Sequence, residues 1–340
     1  MEKNIKLTIA IPTYNRENEI QILLNSIAKE RCDSIEVVVC DNASTDSTVR
    51  IIKEKYQWVT LYTSEKNMGP DYNFLRCYKV AKGEYVLLMG SDDVLIDGAV
   101  FHILQFINGC DSKKTPVIYL NHCLFKNEYR GIDSAFKIYL STGDDYLVRD
   151  KNEFIKIAKA RITFMSCLVM SSHFIKAVVE PQRYIGTSFI HTYILMEMTN
   201  RDGLSYGVIS YPCVAANATE GAEGLSADLE KWFMVFTVKM HDLFCVEGVK
   251  VGFSEKLMRS IFINEIWKPV TMKIVKAKVK GFSVENEFKK YIFPTVKTFW
   301  KSWFTIVPAY MMPDFCARFL YCNFRPFVYS CLREKNEKQK

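Results

Sequence analysis

Several features that would settle the class of this sequence at once are absent. Its eleven cysteines contain no CxxC pair, and no Cys/His cluster has the spacing of a zinc site. An odd number of scattered cysteines suits reduced thiols in a cytosol better than a disulfide framework. No uninterrupted apolar stretch reaches the length of a membrane span. The charged start, Met1 to Lys6, runs straight into a short apolar strand, which is not the pattern of a signal peptide. Neither an internal repeat nor a low-complexity linker is found. The expectation is a cytoplasmic chain, soluble or peripheral to a membrane.

What is present is globular. The 340 residues are 49% hydrophobic and 24% charged, enough for one large domain or one domain with a smaller attachment. Aromatic residues make up 14%, which hints at apolar surface beyond core needs. The net charge of +7 is concentrated: residues 268–301 hold nine Lys, two Glu and neither Arg nor Asp. Attraction to an anionic partner therefore belongs to the C-terminal third. Nucleic acid is a poor partner, because the Lys run lacks Arg and no recognised binding module accompanies it.

The first part of the chain alternates strand and helix. Leu7 to Ile11 and Ile35 to Cys40 read as strands, and Ile20, Leu23, Leu24 and Ile27 fall at helical spacing between them. Trp58 to Tyr62 and Tyr85 to Met89 read as further strands, with helices before and after the latter. This order predicts an α/β fold, a mostly parallel sheet flanked by helices. Pro116 to Phe125, Phe136 to Leu140, Arg161 to Met170 and Gly203 to Ala216 are expected to add strands. A helix is expected to start at Gly186-Thr-Ser188. From Ala227 the pattern is helical, with aromatic-rich helices from Val296 to Leu332. The domains are expected at 1–220 and 221–340.

Three loops follow three strand ends: Pro12-Thr-Tyr-Asn-Arg16, Asp41-Asn-Ala-Ser-Thr-Asp46 and Gly90-Ser-Asp-Asp93. On a parallel sheet these ends share one edge, where ligands bind. Crowding Asp92 beside Asp93 is costly unless a cation or hydrogen-bond donors offset the repulsion. An Asp-Asp pair alone is more often a solvated turn, and Ser44, Thr45 and Asp46 serve equally well as helix caps. The three loops together favour a metal-assisted nucleotide site.

The stretches Ile9 to Arg16, Val37 to Asp46, Asn67-Met-Gly-Pro-Asp-Tyr-Asn73 and Lys82 to Asp93 resemble the family 2 inverting glycosyltransferases of GT-A fold over about the first 110 residues. More loosely, Arg161 to Met170 and Ile185 to Tyr193 resemble the abequosyltransferase-like O-antigen deoxyhexosyl transferases. The resemblance implies that Pro12, Thr13, Tyr14, Asn15 and Arg16 border the nucleotide, with Tyr14 near the base. It implies that Asp41 accepts a hydrogen bond from the base, and that Asn42 and Ser44 shape that wall. Asn67, Gly69 and Asn73 would border ribose and diphosphate, with Ser91 and Asp92 beside them. Asp92 and Asp93 would hold a divalent cation, Mg²⁺ or Mn²⁺, that offsets charge on the leaving diphosphate.

The chain departs from the family pattern twice. Gly90 stands where the family usually has a further carboxylate, and Ile190-His191 where it commonly has the Glu-Asp pair that supplies the catalytic base. His191 is the first candidate for that base, with Glu180 and Glu197 behind it, although a lone His there is more often a hydrogen-bonded core residue. The expected activity is metal-assisted, inverting transfer of a sugar, which the looser resemblance would make a deoxyhexose, from a nucleotide diphosphate to a saccharide in bacterial surface-polysaccharide assembly. A polyprenyl-diphosphate-linked acceptor would bring the C-terminal region to the inner face of the cell membrane. Lys273, Lys276, Lys278 and Lys280 with Trp267, Phe299, Trp300, Trp303 and Phe304 would meet that anionic surface, unless the Lys run is a solvated face. The rivals are a degenerate sugar-binding or scaffold protein and, lower, a nucleotidyltransferase, whose Gly-rich basic phosphate loop is missing after the first strand.

Overall fold

A computed structural model of the chain describes residues 4–218, 229–296 and 304–317. The chain divides into two compact units, residues 1–219 with 250–253, and residues 220–249 with 254–340.

The first unit is built on one mixed sheet. Strand β1 (Leu7–Thr13) is buried at every residue, as a central strand covered on both faces must be. Helix α1 (Glu19–Lys29) buries Ile20, Leu23, Leu24 and Ile27, the residues at helical spacing. Strand β2 (Ile35–Asp41), helix α2 (Thr48–Lys55), strand β3 (Thr60–Thr63) and helix α3 (Pro70–Val80) follow. Helix α3 opens with Gly69 at φ +86° and Pro70 in its first turn, where a missing N–H costs no helix bond. Next come β4 (Tyr85–Leu88), β5 (Val94–Leu95), α4 (Ala99–Asn108) and β6 (Val117–Phe125). The short strands β7 (Lys137–Ile138) and β8 (Tyr146–Val148) precede α5 (Lys151–Ala158), whose cap is Asp150 accepting from the Glu153 N–H at 2.9 Å. Strand β9 (Leu168–Ser171), α6 (Ser172–Lys176), α7 (Ile190–Met198) and β10 (Tyr206–Asn217) complete the unit.

The strand order is β3-β2-β1-β4-β9-β6-β10-β5, with β7 on β6 and β8 on β10. Strands β3, β2, β1 and β4 are mutually parallel, as the alternation of elements predicts. Strand β9 then runs antiparallel to both β4 and β6, and β10 runs parallel to β6. The carboxyl ends of β1, β2, β4, β6 and β10 thus share one edge with the amino end of β9.

Two strand expectations contract. Of Arg161 to Met170, only the end from Leu168 is strand; residues 159–163 and 165–167 form 3₁₀ turns. Phe136 to Leu140 retains only the two residues of β7. An apolar run without periodicity does not distinguish a buried turn from a strand.

The second unit is helical over residues 229–249, 255–279, 285–296 and 306–311. Phe233, Phe244, Phe262, Trp267, Ile274 and Ile292 are buried. Trp267 is 2% exposed and packs edge-on to Phe262, so it is not free to meet a bilayer. Nor is the Lys run a row of free charges. Lys278 donates to the Met312 carbonyl and lies 3.6 Å from Asp314, and Lys273 lies 5.0 Å from the centre of the Trp232 ring. Lys280 and Phe304 are exposed. Phe299, Trp300, Trp303 and the boundary near Glu220 lie outside the described residues. Among the described residues no helix is long and apolar enough to cross a membrane.

Candidate functional site

The loops after β1 and β2 are tied together by hydrogen bonds. Asn15 adopts φ +51°, which turns its N–H onto Ser44 Oγ at 2.8 Å and its Oδ1 onto the Thr45 N–H at 2.8 Å. Arg16 N–H donates to Thr48 Oγ1, and the Glu17 N–H donates to Asp46. Asp41 is 1% exposed, and its carboxylate accepts from both the N–H and the hydroxyl of Ser44. A third loop joins through Asn42. Its amide donates to Asn67 Oδ1 at 2.8 Å and to the Gly69 carbonyl at 3.2 Å, and its oxygen accepts from the Met68 N–H. Asn73 donates to the Cys40 carbonyl at 2.7 Å. Two polar atoms in this frame, Thr13 Oγ1 and Asn73 Oδ1, are buried without a partner. Tyr14 is 42% exposed and follows buried Pro12 and Thr13 in the chain.

Asp92 and Asp93 face opposite environments. The Asp92 side chain is 43% exposed, and its Oδ2 lies 3.8 Å from the Arg16 guanidinium. Asp93 is 5% exposed; its Oδ2 accepts from the Ser166 hydroxyl at 2.6 Å and its Oδ1 from the Asn217 N–H at 3.1 Å. Burial and the neighbouring Asp92 charge raise its pKa to about 7, against the pull of those two donors. Ser91 is buried between them and Gly90.

Gly90 has a steric explanation. A Cβ there would lie 2.7 Å from Asp93 Oδ2 and 3.2 Å from both Asp92 Oδ1 and Ser166 Oγ. The place of a further acid is filled by the Ser166–Asp93 bond. The donor set therefore offers one open carboxylate, Asp92, with Asp93 locked behind it. Among the described residues no group of three or more His, Cys, Asp or Glu side chains could hold a metal by protein alone. One open carboxylate nonetheless suits Mg²⁺, which is commonly held by one or two carboxylates plus substrate phosphates and water.

His191 is placed at the start of α7 but inside the fold. It is 3% exposed, and Nε2 donates to the Thr163 carbonyl at 2.9 Å, which leaves Nδ1 buried and bare. Burial lowers its pKa to about 4. Its burial and its bond to Thr163 are those of a neutral, hydrogen-bonded core histidine. Glu197 is held by the Tyr184 hydroxyl.

The residues that sequence reasoning missed are Ser166, Asp71 and Arg76. Ser166 lay hidden in an apolar run. Asp71, 4% exposed, accepts backbone N–H groups from the segment leading into α7. Arg76 donates to the Asp41 and Thr63 carbonyls, stiffening the β2 loop. The position of Asp71 inside the Asn67 to Asn73 stretch was the one available signal.

Residues 8–120 match the family model described as glycosyl transferase family 2. The abequosyltransferase RfbV of Salmonella typhimurium is 30% identical over 61% of this chain and 65% of its own length. The poly(ribitol-phosphate) β-N-acetylglucosaminyltransferase TarS of Staphylococcus aureus is 38% identical over 27% of this chain and 17% of its own length. The chain thus spans less than two thirds of these curated relatives. The structure of S. aureus TarS residues 1–349 with UDP-GlcNAc superposes with a TM-score of 0.62 at 19% identity, over 93% of this chain and 91% of that one. Residues 8–120 of this chain are thus similar to the family 2 glycosyl transferases, and the chain has a GT-A fold.

Proposed function

We propose that the chain is a glycosyltransferase that moves a sugar from a nucleotide diphosphate donor to a saccharide hydroxyl in bacterial surface-polysaccharide assembly. The observation that carries this reading is the knitting of three loops into one rigid edge beside the open carboxylate of Asp92. A loop edge fixed by the Asn15–Ser44 and Asn42–Asn67 bonds is organised before ligand arrives, which lowers the cost of binding. Thr13, Tyr14, Asn15, Asp41, Asn42 and Ser44 take the nucleoside, and Asn67, Gly69, Asn73 and Ser91 border the ribose and diphosphate. Arg16 and Asp92 face the diphosphate. Asp92 would hold a Mg²⁺ or Mn²⁺ ion, with Asp93 orienting its loop; when bound, the ion would offset charge on the departing diphosphate. The start of α7 is the acceptor side. A deoxyhexose donor is supported by the abequosyltransferase match, and a polyprenyl-diphosphate-linked acceptor by the basic C-terminal region.

The test is a melting-temperature panel with UDP-, GDP-, CDP- and dTDP-sugars, followed by release of nucleoside diphosphate with and without Mg²⁺ or Mn²⁺. Binding to the native state raises its stability by RT ln(1 + [L]/Kd), so the correct base shows as one stabilising member. Slow, cation-dependent release is expected from that donor. Stabilisation without release would favour a sugar-binding scaffold, the reading that Gly90 and the burial of His191 motivate. No stabilisation by any donor would end the proposal.

A further inference from the structure

The carboxylate of Asp71 joins two segments that are more than a hundred residues apart. Its Oδ2 accepts the Gly186 N–H at 2.8 Å and the Ser188 N–H at 2.9 Å, and its Oδ1 accepts the Ile190 N–H at 3.4 Å. Asp71 is 4% exposed, and these N–H groups are the donors that meet its charge. A buried carboxylate stripped of its donors is strongly penalised, so the segment and the side chain move together or not at all. Ser188 adds a second sign of constraint. It is a non-glycine residue at φ +70°, a left-handed conformation that persists only where the surroundings fix it. Its N–H is one of the three that Asp71 holds.

Asp71 is also fixed from the nucleotide side. It lies in the first turn of α3, between Gly69, whose carbonyl accepts from Asn42, and Asn73, which donates to the Cys40 carbonyl. A short hydrogen-bonded path therefore runs from the β2 loop through Asn42, Gly69 and Asp71 to Gly186, Ser188 and Ile190. From there side chains of α7 reach the 3₁₀ turns: Thr192 Oγ1 donates to the Ile162 carbonyl at 2.9 Å, and His191 donates to the Thr163 carbonyl. The second of those turns contains Ser166, the donor to Asp93.

We propose that Asp71 is a positioning residue that couples the two sides of the site: nucleoside diphosphate bound at the β1 and β2 loops orders the Gly186–Ile190 segment through it. The inference rests on the glycosyltransferase reading, in which that segment faces the acceptor. It gives donor binding a direct route to acceptor geometry, without contact between nucleotide and α7.

The experiment compares backbone hydrogen exchange in wild type and Asp71→Asn, each with UDP, GDP, CDP or dTDP plus Mg²⁺. In wild type, the diphosphate that raises the melting temperature is expected to slow exchange across residues 186–190 by at least about threefold, a modest shift on the scale of local opening equilibria. In Asp71→Asn the slowing is expected to vanish while the melting-temperature shift persists. A purely structural clasp would instead loosen the segment equally with and without nucleotide, which overturns the coupling. So does a bound diphosphate that leaves wild-type exchange at 186–190 unchanged, an arm that stands even where the variant fails to fold. If no diphosphate binds at all, it is the glycosyltransferase reading that falls, and the coupling falls with it.

Discussion

Ser166 and Asp93 share a 2.6 Å hydrogen bond in the space where a side chain at residue 90 would stand. The Gly90 N–H in turn donates to Ser166 Oγ at 2.9 Å, so the three residues form one packed unit. Any Cβ at 90 must push Asp93 or Ser166 aside. Gly90→Ala is expected to cost about 1–3 kcal/mol, the usual range for overpacking, measured by urea unfolding. Gly90→Asp, which restores the acid of the family pattern, is expected to lower cation-dependent diphosphate release rather than raise it. A gain in release would show that the loop rearranges freely.

The two neighbouring acids are expected to separate by experiment. Asp92→Asn leaves the buried unit intact, so its melting temperature should stay near wild type while cation-dependent release drops about 100-fold, the size of one lost charge-stabilising group. Ser166→Ala should do the reverse, lowering stability by about 1–3 kcal/mol for the Asp93 oxygen left without its donor. Equal effects of the two substitutions on release would refute the division of labour.

His191→Gln tests the histidine directly. The glutamine amide nitrogen stands where Nε2 did and can still donate to the Thr163 carbonyl, so turnover is expected within about threefold of wild type, a barrier change under about 1 kcal/mol. A loss beyond about 100-fold with an unchanged melting temperature would return His191 to the role of base.

Two buried histidines set an acid limit. Burial, and next the Arg161 charge, lowers the pKa of His122 from 6.5 to about 3, and burial lowers that of His191 to about 4. The unfolded chain then binds protons more tightly than the folded one below pH 6.5. Their contribution to stability is complete above that pH and is lost as pH falls through about 4 and about 3. His122 stacks on Tyr139 at 4.3 Å, so His122→Phe keeps the stack without the titration. Its stability should fall less steeply between pH 6.5 and 4 in urea titrations; parallel curves would show that His122 carries no part of the acid sensitivity.

Attachment to a membrane surface predicts salt-sensitive flotation with phosphatidylglycerol vesicles. Binding at about 0.1 M salt should be lost near 1 M, where the Debye length shrinks from about 10 to about 3 Å. Flotation that is absent at low salt, or indifferent to salt, counts against it. Lys273 and Lys278 already have partners within the fold, so Lys280→Glu is the more telling charge reversal than a change at either.

The sequence revealed the loop cluster because three parallel strands each announce their end with a polar run. Strand direction alone then places Thr13, Asp41 and Asp92 on one edge. It did not reveal that adjacent Asp92 and Asp93 point to opposite environments, since that depends on donors from Ser166 and Asn217. Ser166 could not be singled out in Phe164-Met-Ser-Cys-Leu, a run with no period to separate turn from strand. Trp267 misled for a related reason: a large aromatic beside Lys residues suits an interface and a core equally well, and only packing against Phe262 distinguishes them.

The antiparallel course of β9 has a consequence for how such chains can be recombined. The motif-bearing stretch, residues 8–120, contains Asp93 but neither of its donors. Ser166 arrives only because the chain turns back against β4, and Asn217 only because β10 then runs with β6. A chimera that grafts residues 8–120 onto the second half of a relative would inherit every recognisable motif and an unmet buried carboxylate. To be viable, the recipient must supply a hydroxyl ahead of its own reversed strand, and a glycine must stay at 90 to receive it.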